Sequence, residues 1–120
     1  MRIESLQPGE VFVFGSNASG AHGAGAAATA LERFGAVWGQ GDGLQGRSYG
    51  IDTMSGPAVM QEGVERFLDF AARHPELRFL VTEIGCGIAG YTPDQVAPLF
   101  ADAAENVVLP ERFRAVLEQS

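Results

Sequence analysis

The residues of this chain best suited to chemistry are glycines and the backbone they leave bare. Two glycine-rich segments each follow a short apolar run and precede a helix-like pattern. The first follows Val11-Phe12-Val13-Phe14 and reads Gly15-Ser16-Asn17-Ala18-Ser19-Gly20-Ala21-His22-Gly23-Ala24-Gly25. The second follows Phe79-Leu80-Val81-Thr82 and reads Glu83-Ile84-Gly85-Cys86-Gly87-Ile88-Ala89-Gly90-Tyr91. A strand that ends in glycine and turns into a helix leaves N–H groups unpaired and aimed at one spot. Such groups suit phosphate, because glycine permits close approach and a helix N-terminus carries partial positive charge. Two such loops imply a ligand with more than one anionic group, and a nucleotide diphosphate is the natural candidate.

Neither loop fits a standard phosphate motif. The Gly-Lys-Ser/Thr ending of a P-loop is missing, and Gly20, Gly23 and Gly25 are wrongly ordered for a dinucleotide fingerprint. Taken singly, each loop is as well explained as a tight turn. Together, at the carboxyl ends of parallel strands, they predict a binding crevice.

Charge restricts how such a crevice works. The formal net charge is −7, and the eight basic residues are all arginines scattered along the chain. No basic stripe is present, so general nucleic-acid binding is not expected. Without lysine, phosphate must be held mainly by backbone amides, with one arginine at most in support. Cys86 is the only cysteine, and the two histidines, His22 and His74, lie far apart, so neither a disulfide nor a metal site is expected. No cofactor is implied. No apolar stretch approaches a membrane span, and the N-terminus lacks a secretory signal, which makes the cytoplasm the expected address.

The 120 residues are read as one domain, residues 1–120, in which strand and helix alternate. A buried strand is expected over 11–15 and a helix from near Gly23 to Phe34-Gly35, with Ala27, Ala30, Leu31 and Phe34 at helical spacing. Residues 39–46 are too glycine-rich for regular structure and read as a mobile loop. A strand over 47–53 precedes a helix opened by Ser55-Gly56-Pro57 and ended by His74-Pro75. Strand 77–82 leads into the second loop. Thr92-Pro93-Asp94-Gln95 has a capping-box pattern, and Pro98 should kink or shorten that helix. A strand over 106–109 and a helix from Pro110, with Phe113, Val116 and Leu117 inward, complete the chain.

The segment from Asn17 through Gly23-Ala24-Gly25-Ala26-Ala27 resembles the ADP-ribose-binding loop of macrodomains. The second loop resembles their other phosphate loop, nearest the Ile-Gly-Cys-Gly version of the terminal ADP-ribose glycohydrolase branch and of antitoxins that remove ADP-ribose from DNA. Phe14-Gly15-Ser16-Asn17, Gly39-Gln40-Gly41 and Gly43-Leu44-Gln45-Gly46 are similar to segments of small phage-related and bacterial macrodomain-like proteins, a likeness that spans nearly the whole chain. The resemblance implies a three-layer α/β/α fold with a mostly parallel central sheet. It implies that Asn17 contacts the distal ribose, with Tyr91 beside it. Gly23, Ala24 and Gly25 would give amides to the diphosphate from one side. Gly85, Cys86, Gly87, Ile88, Ala89 and Gly90 would give them from the other. The implied partner is ADP-ribose, a related nucleotide, or an ADP-ribosylated macromolecule.

Catalysis by the glycohydrolase route does not carry over. That branch uses a lysine in the first helix and an acid just after Ile-Gly-Cys-Gly-Leu. Here the helix reads Leu31-Glu32-Arg33, and the acidic position holds Ala89. Asn17, to position water, and His22, Asp42, Glu83 and Asp94 remain as candidates for hydrolysing an ADP-ribosyl linkage, and each of the last four has a plain alternative. His22 is a base or a turn cap, Asp42 a swinging acid or a turn aspartate, and Glu83 a perturbed acid or the partner of an arginine. Asp94 reads best as a first-turn acid favoured by the helix dipole. Cys86 reads as packing, Arg47 as a phosphate contact or a surface ion pair, and Trp38 as an adenine platform or core. A structural or partner-binding module without catalysis stays open beside these readings.

Overall fold

The computed structural model describes Ile3 and residues 5–119. Its centre is β1 (Glu10–Ser16), in which four consecutive residues, Val11 to Phe14, are almost wholly buried. Such a run needs cover on both faces. Alternation along the strand supplies it: Val11 and Val13 enter one apolar cluster, Phe12 and Phe14 another.

The remaining elements follow in alternation. They are α1 (Gly25–Arg33), β2 (Gly43–Gln45), β3 (Ser48–Asp52), α2 (Pro57–Ala72), β4 (Arg78–Val81), α3 (Pro93–Val96), β5 (Val107–Val108) and α4 (Glu111–Glu118). The five strands form one sheet in the order β2-β3-β1-β4-β5. β1 pairs in parallel with β3, from Phe12↔Ser48 to Ser16↔Asp52, and with β4, from Glu10↔Arg78 to Val13↔Val81. β5 joins β4 in parallel, and only β2 runs antiparallel, to β3. The protein is therefore α/β, with a mostly parallel mixed sheet and four helices among the described residues. No helix among them is long and apolar enough to cross a membrane.

The helices divide between the two clusters. Ala27 and Ala30 of α1 pack with Phe12, Phe14 and Phe34. Met60, Val64, Phe67 and Ala71 of α2, together with Val96, Phe100 and Phe113, pack with Val11, Val13, Ile51 and Phe79. Each fully buried phenylalanine contributes roughly 1.5–3 kcal/mol of transfer free energy. The loop leaving β1 thus heads for a different cluster from the loops leaving β3 and β4. Where neighbouring exits diverge in this way, a crevice opens at the carboxyl ends of the strands.

Two local expectations need correction, and a third holds. The helix expected from Gly23 starts at Gly25, because Ala24 stays extended (φ −152°, ψ 161°). Residues 39–46 are not structureless: Gly43–Gln45 form β2, paired to β3 from Gly43↔Gly50 to Gln45↔Ser48. Their glycines serve close contact between backbones. A Cβ on Gly41 would overlap the Asn17 carbonyl, one on Gly20 the Gly39–Gln40 backbone, and one on Gly46 the Gly35 carbonyl. Pro98 does shorten its helix: α3 has four residues and continues as a 3₁₀ turn, Ala97–Phe100. The capping box holds, with the Thr92 N–H donating to Gln95 Oε1 at 2.9 Å.

The contact at Gly20 yields a test. Gly20→Ala adds a methyl group where backbone already stands, at a residue with φ +70°. Thermal or denaturant unfolding should show a loss of about 2 kcal/mol or more.

Candidate functional site

At the carboxyl ends of β1, β3 and β4 lies a cleft of about 560 Å³. One wall is the β1–α1 segment, from Gly15 to Ala27, and the other is the loop after β4, from Thr82 to Ala89. Thr53, Met54 and Trp38 complete the lining. The two glycine loops meet: a Cβ on Gly15 would touch the Gly85 nitrogen at 3.5 Å.

The first wall ends in a helix with no side-chain cap. Ala24 occupies the N-cap and has no oxygen to offer, and the first turn holds no acid. A Ser, Thr or Asp there would accept from the second or third amide. Consequently the N–H groups of Gly23, Ala24, Gly25, Ala26 and Ala27 have no acceptor among the described residues. On the second wall the N–H groups of Gly85, Gly87, Ile88 and Ala89 are likewise unpaired. Two sets of main-chain donors therefore border one cleft, one of them at the positive end of a helix dipole.

The other amides of the second loop are already used. Cys86 N–H donates to the Glu83 carbonyl at 3.2 Å, Gly90 to Gly87 at 3.0 Å, and Tyr91 to Gly85 at 2.8 Å. These three residues do not line the cleft. Cys86 and Tyr91 instead pack against the larger core. Burial, with the Glu83 charge second, pushes the Cys86 thiol up from its ordinary pKa, so no activated thiolate stands here.

Of the candidate catalytic residues, the cleft brings Asn17 and Glu83 into one lining, whereas His22, Asp42 and Asp94 lie outside it. Asn17 lines the cleft, but its Oδ1 accepts from Ala21 N–H and Ser19 Oγ, and its Nδ2 donates to the Ala21 carbonyl, each at 2.9 Å. The side chain thereby closes its own turn. His22 is 1% exposed and lies outside the lining. Its Nε2 donates to the Gln40 carbonyl at 3.0 Å, and its ring stands edge-on to Phe14. Nδ1 is buried and has no hydrogen-bond partner among the described residues. Asp42 pairs with Arg66 at 3.0 Å, away from the cleft.

Among the described residues, Glu83 is the only ionisable one in the lining. Arg112 of α4 grips both of its oxygens, from Nε and Nη2, each at 2.9 Å. This fork offsets the charge of Glu83, which would otherwise repel an anion in the cleft. Arg47 lies outside the cleft lining; its Nη2 donates to the Gln7 carbonyl at 2.7 Å.

Sequence reasoning missed several lining residues. Ser16, Ala21, Ala26, Thr53, Met54, Thr82 and Ile84 also face the cleft. Alternation marks Ser16 as facing the α1 side of the sheet, along with Phe12 and Phe14, but nothing local shows that its hydroxyl is buried without a partner. Thr53 and Met54 arrive through the pairing of β3 with β1, which no local pattern encodes. Compared with known proteins, the chain matches no family model, no curated protein and no solved structure.

The Glu83–Arg112 pair gives a charge test. If the unpaired amides take an anion, with inorganic pyrophosphate as the probe, Arg112→Ala should weaken its binding about three- to tenfold at low salt, by freeing the Glu83 carboxylate. Adding Glu83→Gln should restore the affinity in the same calorimetric titration, whereas a merely structural role for Arg112 would leave it low.

Proposed function

We propose that the cleft binds ADP-ribose or a related nucleotide diphosphate, held by main-chain amides from both glycine loops. One observation about the glycines carries this reading. Of the sixteen in the chain, fourteen have a reason within the fold: a left-handed φ, or an atom that a Cβ would meet. Gly23 and Gly87 have neither, since their φ values are ordinary and nothing lies within 4 Å of a Cβ. Both line the cleft, one on each wall. Alanine at either position would cost the fold nothing, so their bareness serves whatever approaches the adjoining amides.

Amide donors to ionised oxygens contribute roughly 1.5–3 kcal/mol each. A handful is enough for micromolar affinity, about −8 kcal/mol, after the cost of association. The division of helices between two clusters fits the three-layer macrodomain arrangement that the loop sequences resemble. Binding is favoured over hydrolysis, because the single acid in the lining is held by an arginine. If an ADP-ribosyl linkage is cleaved here, Glu83 is the only wall residue able to exchange a proton with water.

Calorimetric titration with ADP-ribose tests the reading. Micromolar binding is expected, weakened at least tenfold by Gly23→Ala or Gly87→Ala. The melting temperature of both variants should stay the same or rise slightly, since alanine restricts the unfolded chain. No heat at millimolar ligand, or unchanged affinity in both variants, would sink it.

A further inference from the structure

We infer that Trp38 is a stacking platform for the ligand's nucleobase, and that the site accepts bases by stacking rather than by reading their edges. This rests on the diphosphate reading above and specifies the other end of the same ligand. Trp38, the only tryptophan in the chain, is 60% exposed yet lines the cleft. Six large apolar residues are exposed among those described, and three of them, Trp38, Met54 and Ile88, border this cleft.

An exposed indole on a loose loop would mean little, but the backbone on both sides of Trp38 is pinned. Val37 N–H donates to Gln45 Oε1 at 2.8 Å, and Gly39 N–H to the Gly20 carbonyl at 2.9 Å. The Gln40 carbonyl accepts from Gln45 Nε2 at 3.1 Å and from His22 Nε2 at 3.0 Å. Gln45 is itself buried, and the His22 ring meets the indole edge-on at 6.3 Å. Two buried polar side chains are thus devoted to holding a ring that the core does not use.

The chemistry of the lining narrows what can occupy that ring. A cationic ligand would seek an acid beside the indole, and the only acid in the lining is already paired with Arg112. A planar neutral base joined to phosphates satisfies both the indole and the amides. The lining then offers little to read a base edge. Thr53 Oγ1 is bonded to the Ser16 carbonyl and Thr82 Oγ1 to the Val13 carbonyl, while Ser16 Oγ is buried. Asn17 keeps one spare N–H, which an acceptor on any base can satisfy. Stacking is tolerant, because every base has a π-face.

The single tryptophan makes the test direct. Titrations with ADP, GDP, UDP and adenosine are followed by its emission in the unaltered protein, and ADP and inorganic pyrophosphate are titrated by calorimetry in the unaltered protein and in every Trp38 variant. ADP and GDP should quench the emission and bind within about threefold of each other, with UDP weaker. Trp38→Ala should lower ADP affinity at least about fivefold while leaving pyrophosphate unchanged, and Trp38→Phe should retain most of the ADP affinity. An unaltered ratio of ADP to pyrophosphate affinity in Trp38→Ala, or a tenfold preference for ADP over GDP, would overturn the inference and leave the diphosphate reading intact. If pyrophosphate fails to bind while adenosine still quenches, the diphosphate reading falls and the platform stands.

Discussion

The start of α1 lacks a side chain able to accept its first hydrogen bonds, and the arrangement of the cleft depends on that lack. A buried or half-buried N–H without an acceptor is costly, so helices usually recruit Ser, Thr, Asp or Asn at this point. Here Ala24 stands at the cap, followed by glycine and alanines. The unpaired donors are tolerable only because they face an open cleft, where water or an anion can take them. The second loop repeats the solution with Gly85, Gly87, Ile88 and Ala89, and its other amides close the turn that presents these.

Under the proposed function, main-chain donors of this kind would let an acidic, lysine-free protein hold an anion. The positive potential is local and made of peptide dipoles, so it needs no basic surface. The acid nearest that seat would spoil it were it free. Arg112, twenty-nine residues further along the chain, holds both oxygens of Glu83 in place.

The elements were largely legible because they are bounded by strong local signals. Alternating or continuous apolar runs mark β1 and β4, Gly56-Pro57 opens α2, and Thr92 with Gln95 caps α3. The two loops were legible for the same reason. The roles of individual side chains were not, because each depends on a partner distant in sequence. His22 looked available until Gln40 and Phe14 enclosed it, and Asp42 until Arg66 reached it. Tyr91 and Cys86 fell to the core side of a turn whose handedness no residue spacing reveals.

The glycines divide the two kinds of information most clearly. Sequence alone determined where the backbone would be bare, since composition near strand ends is a local property. Only the tertiary structure decided why. Gly20, Gly41 and Gly46 are bare because another stretch of backbone lies against them, whereas Gly23 and Gly87 border open space. Close approach of segments far apart in the chain is set by sheet order and helix packing, and no window of sequence contains it.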